Sequence, residues 1–478
     1  MNRPITRLFG LVLLLFALLV AFTSRWTIFE ASALRENPEN HRGFLEEQRI
    51  PRGEIVAADG TVLARSVRRE EGIYERIYPT GSLFANAIGY YFPTPGSTAL
   101  EHFRSAYLNG QGDTGLQRIL DQLQGKKPRG DKILTTLDPA AQRVAVAALA
   151  GHHGAVVALE PRSGAVTVMA SSPSYDPNQL RTRAGFEHLA GEEQEKPLVN
   201  RATQFGYAPG STFKVVTATA AIDTGAYTPS SMLSGRNEIL ISGIPLKNDD
   251  DESLGQITLT EALARSVNTV WAQVAVHLGK ATMARYMERF GFDHKPRLDY
   301  PAGEMSASGE HEGERVIPPT SEAVDVGRMG IGQDKLEVTP LQMAEVAAAV
   351  ANHGTLMVPH MTARIVDPEG QTVRTVGPQV QSVVMKRSTA EAVRGMMEAV
   401  VNEGTGVAAQ IPGVQVAGKT GTAETQIGTA INNVWFIAFA PAADPRVAIA
   451  VTLEKVPGQG AAFAAPVARQ VIERLLDD

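Results

Sequence analysis

Ser211-Thr212-Phe213-Lys214, directly after Tyr207-Ala208-Pro209-Gly210, sets a hydroxyl and an amine three residues apart where a helix is expected to begin. Side chains at i and i+3 of a helix share a face, with Cβ atoms about 5–6 Å apart, so Lys214 can reach the Ser211 hydroxyl. A serine is a poor nucleophile until a neighbour takes its proton. Lysine can do this only when neutral, which requires burial or a nearby cation. Burial is expected, because Val215, Val216, Ala218, Ala220, Ala221 and Ile222 follow at once; Lys419 is a candidate for the cation. Free N–H groups at the helix start suit negative charge developing on a substrate oxygen.

Two further groups follow in order, Ser266-Val267-Asn268 and Lys419-Thr420-Gly421-Thr422. Thr258 and Glu261 fit a capping box that opens a short helix, and a second helix is expected over 269–278, stopped by Gly279. Ser266 and Asn268 then sit on the turn between them, where a hydroxyl can relay a proton and an amide can both donate and accept. The third group lies on a strand pattern over 414–423, followed by apolar runs at 434–439 and 447–453 that read as an antiparallel meander. Gly418 and Gly421 in that strand predict close approach of another backbone, for which a bound peptide would account. Lys419, Thr420 and Thr422 offer a cation and hydroxyls to a carboxylate. S-x-x-K, S-x-N and K-T-G each occur once in the chain. The combination describes serine acyl transfer with lysine as the base.

The elements that must carry these groups are legible in part. Asp138-Pro139 starts a helix expected to run to Ala150, strands at 155–159 and 165–170 flank a turn at Arg162-Ser163-Gly164, Thr339 and Gln342 fit a second capping box, and 464–476 reads as a closing helix. Arg3 and Arg7 precede an uncharged run at 8–24, with Trp26 near its far edge, which reads as an uncleaved single-pass membrane anchor with the N-terminus cytoplasmic and the rest outside. No clear A-x-A cleavage site follows it. A length of 478 residues allows about three domains. Net charge is −6 and no basic block occurs, which points away from nucleic acid; with no cysteine, disulfides and thiol catalysis are excluded.

With these motifs the chain resembles the class B penicillin-binding proteins, monofunctional D,D-transpeptidases of the cell wall. Arg49-Ile50-Pro51-Arg52-Gly53-Glu54-Ile55, residues 154–161, Ser172-Pro173-Ser174-Tyr175-Asp176-Pro177-Asn178, Asn200-Arg201-Ala202, Gly332-Gln333, residues 339–344 and Ala464-Ala465-Pro466 extend the match over nearly the whole chain. The segment ahead of the catalytic domain is most similar to the actinobacterial penicillin-binding protein A group. The resemblance implies an α/β (α+β) serine penicillin-recognising fold, a mainly antiparallel sheet flanked by helices. It also implies a cytoplasmic tail at 1–7, an anchor at 8–24, a pedestal or dimerisation-like region at 25–132 and a transpeptidase domain at 133–478.

The resemblance further implies roles for these residues. Ser211 attacks the carbonyl between the terminal D-alanines of a stem pentapeptide while Lys214 accepts its proton. Backbone N–H groups of Ser211 and Thr422 hold the oxyanion, Ser266 relays the proton to departing D-alanine, and an amine from a second stem takes the acyl group. Asn268 and Lys419 complete the catalytic set, and Thr420, Gly421 and Thr422 bind substrate. β-Lactams are expected to acylate Ser211. No cofactor or metal is implied, and the missing glycosyltransferase region implies a membrane glycan polymerase of the SEDS type as partner. Two other readings are a class D-like β-lactamase and a non-enzymatic β-lactam sensor or wall-synthesis scaffold. Class D enzymes usually carry S-x-V where this chain has Asn268, and no E-x-x-L-N of the class A kind follows Ser266. His152-His153 and Asp249-Asp250-Asp251-Glu252 read as solvated loops, and Gly404-Thr405-Gly406 lacks the setting of a nucleotide loop.

Overall fold

The computed structural model describes residues 3–25, 48–69, 72–112, 128–424 and 431–477. Trp26 and parts of the expected tail and pedestal (1–2, 26–47, 70–71, 113–127) lie outside the described residues.

Strands Ala417–Glu424, Ile431–Ala440, Val447–Pro457, Gly154–Leu159 and Val166–Ser172 form one sheet in that spatial order, every pair antiparallel. Alternation along Ile431–Ala440 divides the core. Trp435, Ile437 and Phe439 face the cluster that includes Phe213, Val215 and Val216, while Val434, Phe436 and Ala438 face Ala141, Ala145, Ala464, Ala468 and Val471. Helices Pro139–Ala148 and Gly460–Leu476 supply the second layer. With both faces covered, these strands read as apolar runs rather than as apolar–polar alternation. Each fully buried large side chain, such as Phe436, contributes about 1.5–3 kcal/mol by leaving water.

Local signals hold up in detail. Asp138 caps its helix by accepting from Ala140 N and Ala141 N, with Pro139 in the first turn, though the helix ends at Ala148. Thr258 accepts from Glu261 N and Thr339 from Gln342 N. The second box is not reciprocal, because Thr339 N donates instead to Ser308 Oγ at 3.0 Å. The helix after Ser266 starts at Asn268, breaks at Gly279 (φ 76°) and resumes to Arg289.

A second sheet of six strands joins residues 55–77 to later parts of the chain, in the order Thr372–Thr375, Thr362–Val366, Lys132–Thr135, Ile55–Val56, Val62–Arg68 and Tyr74–Ile77. One pair in it, Ile55–Val56 with Lys132–Thr135, is parallel. Arg52 Nε and Arg76 Nε clasp buried Glu101 at 2.7 and 2.6 Å. Burial alone would raise the Glu101 carboxyl, but the Arg76 and Arg52 guanidiniums outweigh it and hold it below its ordinary value. Arg104 crosses to Asp299 at 3.1 Å and Thr362 at 2.9 Å, tying early and later parts of the chain together.

Helix Arg3–Ser24 has 22 residues, and Leu8, Phe9, Leu13, Leu14 and Phe16 are each more than half exposed. Among the described residues no helix is long and apolar enough to cross a membrane.

Candidate active site

Ser211 lies on a single 3₁₀ turn, Gly210–Phe213, that leads directly into helix Lys214–Asp223. The turn is held from several sides. Gly210 N donates to Gly332 O (3.0 Å), Thr212 Oγ1 to Pro209 O (2.8 Å), and Trp435 Nε1 to Ala208 O (3.0 Å). Gly210 has φ +51°, and a Cβ there would lie 2.5 Å from Thr422 O and 3.2 Å from Thr422 N. The Ser211 turn is therefore seated on the backbone of the Lys419 strand, and only glycine permits that approach.

Lys214 and Lys419 are both fully buried. Lys214 Nζ donates to Ser266 O at 2.7 Å and Asn268 Oδ1 at 2.6 Å, with Ser266 Oγ at 3.3 Å. Lys419 Nζ donates to Ser266 Oγ at 2.9 Å and Thr420 O at 2.9 Å. Ser266 reaches between the two amines from a left-handed backbone conformation (φ +60°) on the turn that links helices Leu259–Ala264 and Asn268–Arg289. Burial lowers Lys214 to about 7, with the Asp249 carboxylate working in the opposite direction. Burial and then the neighbouring Lys214 hold Lys419 well below the lysine range. Repulsion between two amines that share a hydroxyl is mutual, so the pair titrates together.

This geometry suits proton transfer. Three acceptors surround Lys214 Nζ, namely Ser266 O, Asn268 Oδ1 and, further off, Ser266 Oγ; in the neutral amine the two N–H groups go to the nearer pair and the lone pair can take a proton. Among the described residues Ser211 Oγ has no hydrogen-bond partner, so Lys214 and Ser211 share a helical face without being bonded. Catalytic hydrogen bonds commonly tighten only when substrate arrives. Burial, expected from the apolar run after Lys214, is what lowers this amine; the candidate cation Lys419 is not among the causes.

The close approach expected at Gly418 and Gly421 has a different cause from the bound peptide foreseen. A Cβ on Gly421 would lie 2.8 Å from Pro209 O and from Thr212 Cγ2, and one on Gly418 would lie 2.6 Å from the Phe436 ring. The protein itself fills those positions. The Lys419 strand nevertheless lies at the edge of its sheet, with one side unpaired by any other strand of the described residues.

Comparison with known proteins follows the same lines. The family profile described as "Penicillin binding protein transpeptidase domain" matches residues 154–473. That decides the family. This chain belongs to the penicillin-binding protein transpeptidases. A second profile, "Penicillin binding protein A dimerisation domain", matches 52–133. Peptidoglycan D,D-transpeptidase PbpA of Mycolicibacterium smegmatis is 34% identical over 498 residues, spanning 100% of this chain and 99% of that protein. The PbpA of Mycobacterium tuberculosis is 35% identical over 502 residues, with the same coverage. A solved structure of penicillin-binding protein A from M. tuberculosis, a ceftriaxone acyl-enzyme complex, superposes with TM-score 0.81 at 33% identity, covering 90% of this chain and 100% of that one. This class B transpeptidase is thus a peptidoglycan D,D-transpeptidase with a mixed α/β fold and antiparallel sheets.

Within this transpeptidase Ser266, Asn268, Lys214 and Lys419 come into direct contact, and Thr420 joins them through Lys419. Gly421 supports the Ser211 turn, and Thr422 Oγ1 accepts from Gly460 N at 3.3 Å. Two participants escaped the sequence reading. Thr405 Oγ1 is 2.6 Å from Thr420 Oγ1, and its backbone N donates to Ala264 O at 3.0 Å, so the Gly404-Thr405-Gly406 loop braces two of the motifs. Asp249 accepts from Asn268 Nδ2 at 3.1 Å. Neither carries a local signal, because its partner is a loop distant in sequence. Among the described residues no cluster of potential metal ligands occurs.

Proposed function

We propose that Ser211 is the acyl-carrying nucleophile and Lys214 its base. Ser211 Oγ attacks the carbonyl between the two terminal D-alanines of a stem pentapeptide, and its proton passes to Lys214. Backbone N–H groups of Ser211 and Thr422 receive the oxyanion. As the C–N bond breaks, Ser266 hands a proton to the departing amine of D-alanine, leaving an ester on Ser211. An amine of a second stem attacks that ester, forms the cross-link and restores the Ser211 hydroxyl. Thr420 and Thr422, on the edge strand that carries Lys419, are assigned to the substrate carboxylate through their hydroxyls. The observation that carries this reading is the buried Lys214 amine, lowered to about 7 and held by Ser266 O and Asn268 Oδ1 three residues after Ser211.

β-Lactams are assigned to the same serine, in line with the acyl-enzyme complexes of the M. tuberculosis relative. Intact mass after mixing the full chain with benzylpenicillin tests this. A persistent single adduct that maps to Ser211 and vanishes in Ser211→Ala is expected. An adduct that clears within seconds while hydrolysed drug accumulates would mean a β-lactamase, and no adduct would mean a scaffold.

The division at 25–132 and 133–478, the anchor and the partner belong to the same proposal. Residues 8–24 carry no charge, and the anchor rests on that uncharged run of the sequence. Arg3 and Arg7 favour a cytoplasmic N-terminus. Protease added outside spheroplasts should digest the catalytic part while carbonate leaves the chain in the membrane; protection from protease would reverse the orientation. A SEDS-type glycan polymerase is assigned as partner because the stretch at 25–132 is too short for a glycosyltransferase. Its absence from material co-purified with the membrane-extracted chain would remove that assignment.

A further inference from the structure

The carboxamide of Asn268 has one orientation available to it. On one side stand two groups that only accept, Lys247 O at 3.2 Å and Asp249 Oδ1 at 3.1 Å from Nδ2. On the other side Lys214 Nζ donates to Oδ1 at 2.6 Å. Turning the amide over would set its oxygen against a carboxylate and a carbonyl, and its NH₂ against an amine. Asp249 belongs to a 3₁₀ turn, Asp249–Asp251, and lines a cleft of about 270 Å³ together with Ser266, Val267, Glu403 and Thr405. It has no salt-bridge partner among the described residues, whereas Asp251 pairs with Lys247 at 3.0 Å and Glu252 pairs with Arg265.

We propose that Asp249 is a positioning residue for acyl transfer, which fixes the Asn268 carboxamide with its oxygen toward Lys214 and sets a negative charge beside the two buried lysines. This rests on Lys214 being the base. The charged groups around that amine are Lys419 on the edge strand and Asp249 on the loop; the Lys247–Asp251 and Glu252–Arg265 pairs and Glu403 lie further out along the loop and cleft wall. Asp249 favours the protonated form of both lysines, against burial. It therefore keeps the base from becoming too weak to take the serine proton, while the amide it orients supplies one of the two acceptors for the neutral amine.

The test is the pH profile of the acylation rate constant, measured with a fluorescent penicillin on the full chain in detergent. Asp249→Asn retains an acceptor oxygen for Asn268 and removes the charge, so the lysine pair gives up its proton more readily. Its acid limb is expected to move to lower pH by roughly half a unit to one unit, less at 1 M salt because Asp249 is exposed. Asp249→Ala releases the amide as well, and its plateau rate is expected to fall about 10-fold. Asp251→Asn, which removes a neighbouring carboxylate of the same loop, should leave the limb in place. An unmoved limb in Asp249→Asn, or equal shifts in Asp249→Asn and Asp251→Asn, would overturn the proposal. Wild-type acylation by Lys214→Ala would instead overturn the assignment of the base.

Discussion

Lys419 Nζ donates to Ser266 Oγ at 2.9 Å across 153 residues of sequence. The Ser266 oxygen is thereby engaged as an acceptor and its own proton is free to move, either toward Lys214 at 3.3 Å or toward a leaving group in the cleft. One hydroxyl set between two buried amines is placed to relay a proton, the role proposed for Ser266, and its state would follow the titration of the pair.

That titration sets the first expectation. With Lys214 lowered to about 7 by burial, the neutral base accumulates as pH rises through that value, so the acylation rate constant should climb across about pH 6–8 and level off above it. Lys214→Ala should reduce the plateau by about 10²- to 10⁴-fold. Stopped-flow acylation by a chromogenic β-lactam reads both; a flat wild-type profile over that range would exclude Lys214 as the titrating base.

Thr405→Val removes the hydroxyl bonded to Thr420 at 2.6 Å while conserving shape. Loss of one such bond, about 0.5–1.5 kcal/mol, corresponds to a drop of about 2- to 10-fold in acylation. An unchanged rate would reduce the Gly404-Thr405-Gly406 loop to a spacer.

Gly421→Ala places a Cβ 2.8 Å from Pro209 O and 3.0 Å from Trp435 Cβ. The Ser211 turn must then shift, and a displacement of about 1 Å at a reacting atom costs about 10²-fold. Fluorescent-penicillin labelling should fall accordingly, with the thermal transition kept; full labelling would show that the turn tolerates displacement.

Away from the site, Glu345 is buried in helix Pro340–Ala351 with no hydrogen-bond partner for Oε1 among the described residues, and burial raises its carboxyl to about 8. Its folded-state value exceeds its ordinary one of 4.5, so the folded chain holds the proton more tightly. Stability from this group is complete below about pH 4.5 and is lost as pH rises toward 8. Glu345→Gln removes the titration and should raise the melting temperature by a few degrees at pH 8 but little at pH 5. Parallel melting-temperature profiles for variant and wild type would contradict the assignment.

Much of this enzyme is visible before folding is considered. Asp138-Pro139, Thr258 with Glu261, Thr339, and the apolar runs of the catalytic sheet report themselves because caps and strand periodicity are local, satisfied within a few residues. The order and residue types of the Ser211, Ser266 and Lys419 motifs are likewise a property of the chain, and from them alone the chemistry and the family follow. Tertiary structure decided the wiring. It turned Lys214 toward Ser266 and Asn268 rather than Ser211, and filled the space beside Gly421 with Pro209 and Thr212. It also brought Asp249 and Thr405 to the site from stretches that look like ordinary loops. Hydrogen-bond direction and desolvation depend on which distant loops close over a side chain, and no local pattern of residues records that.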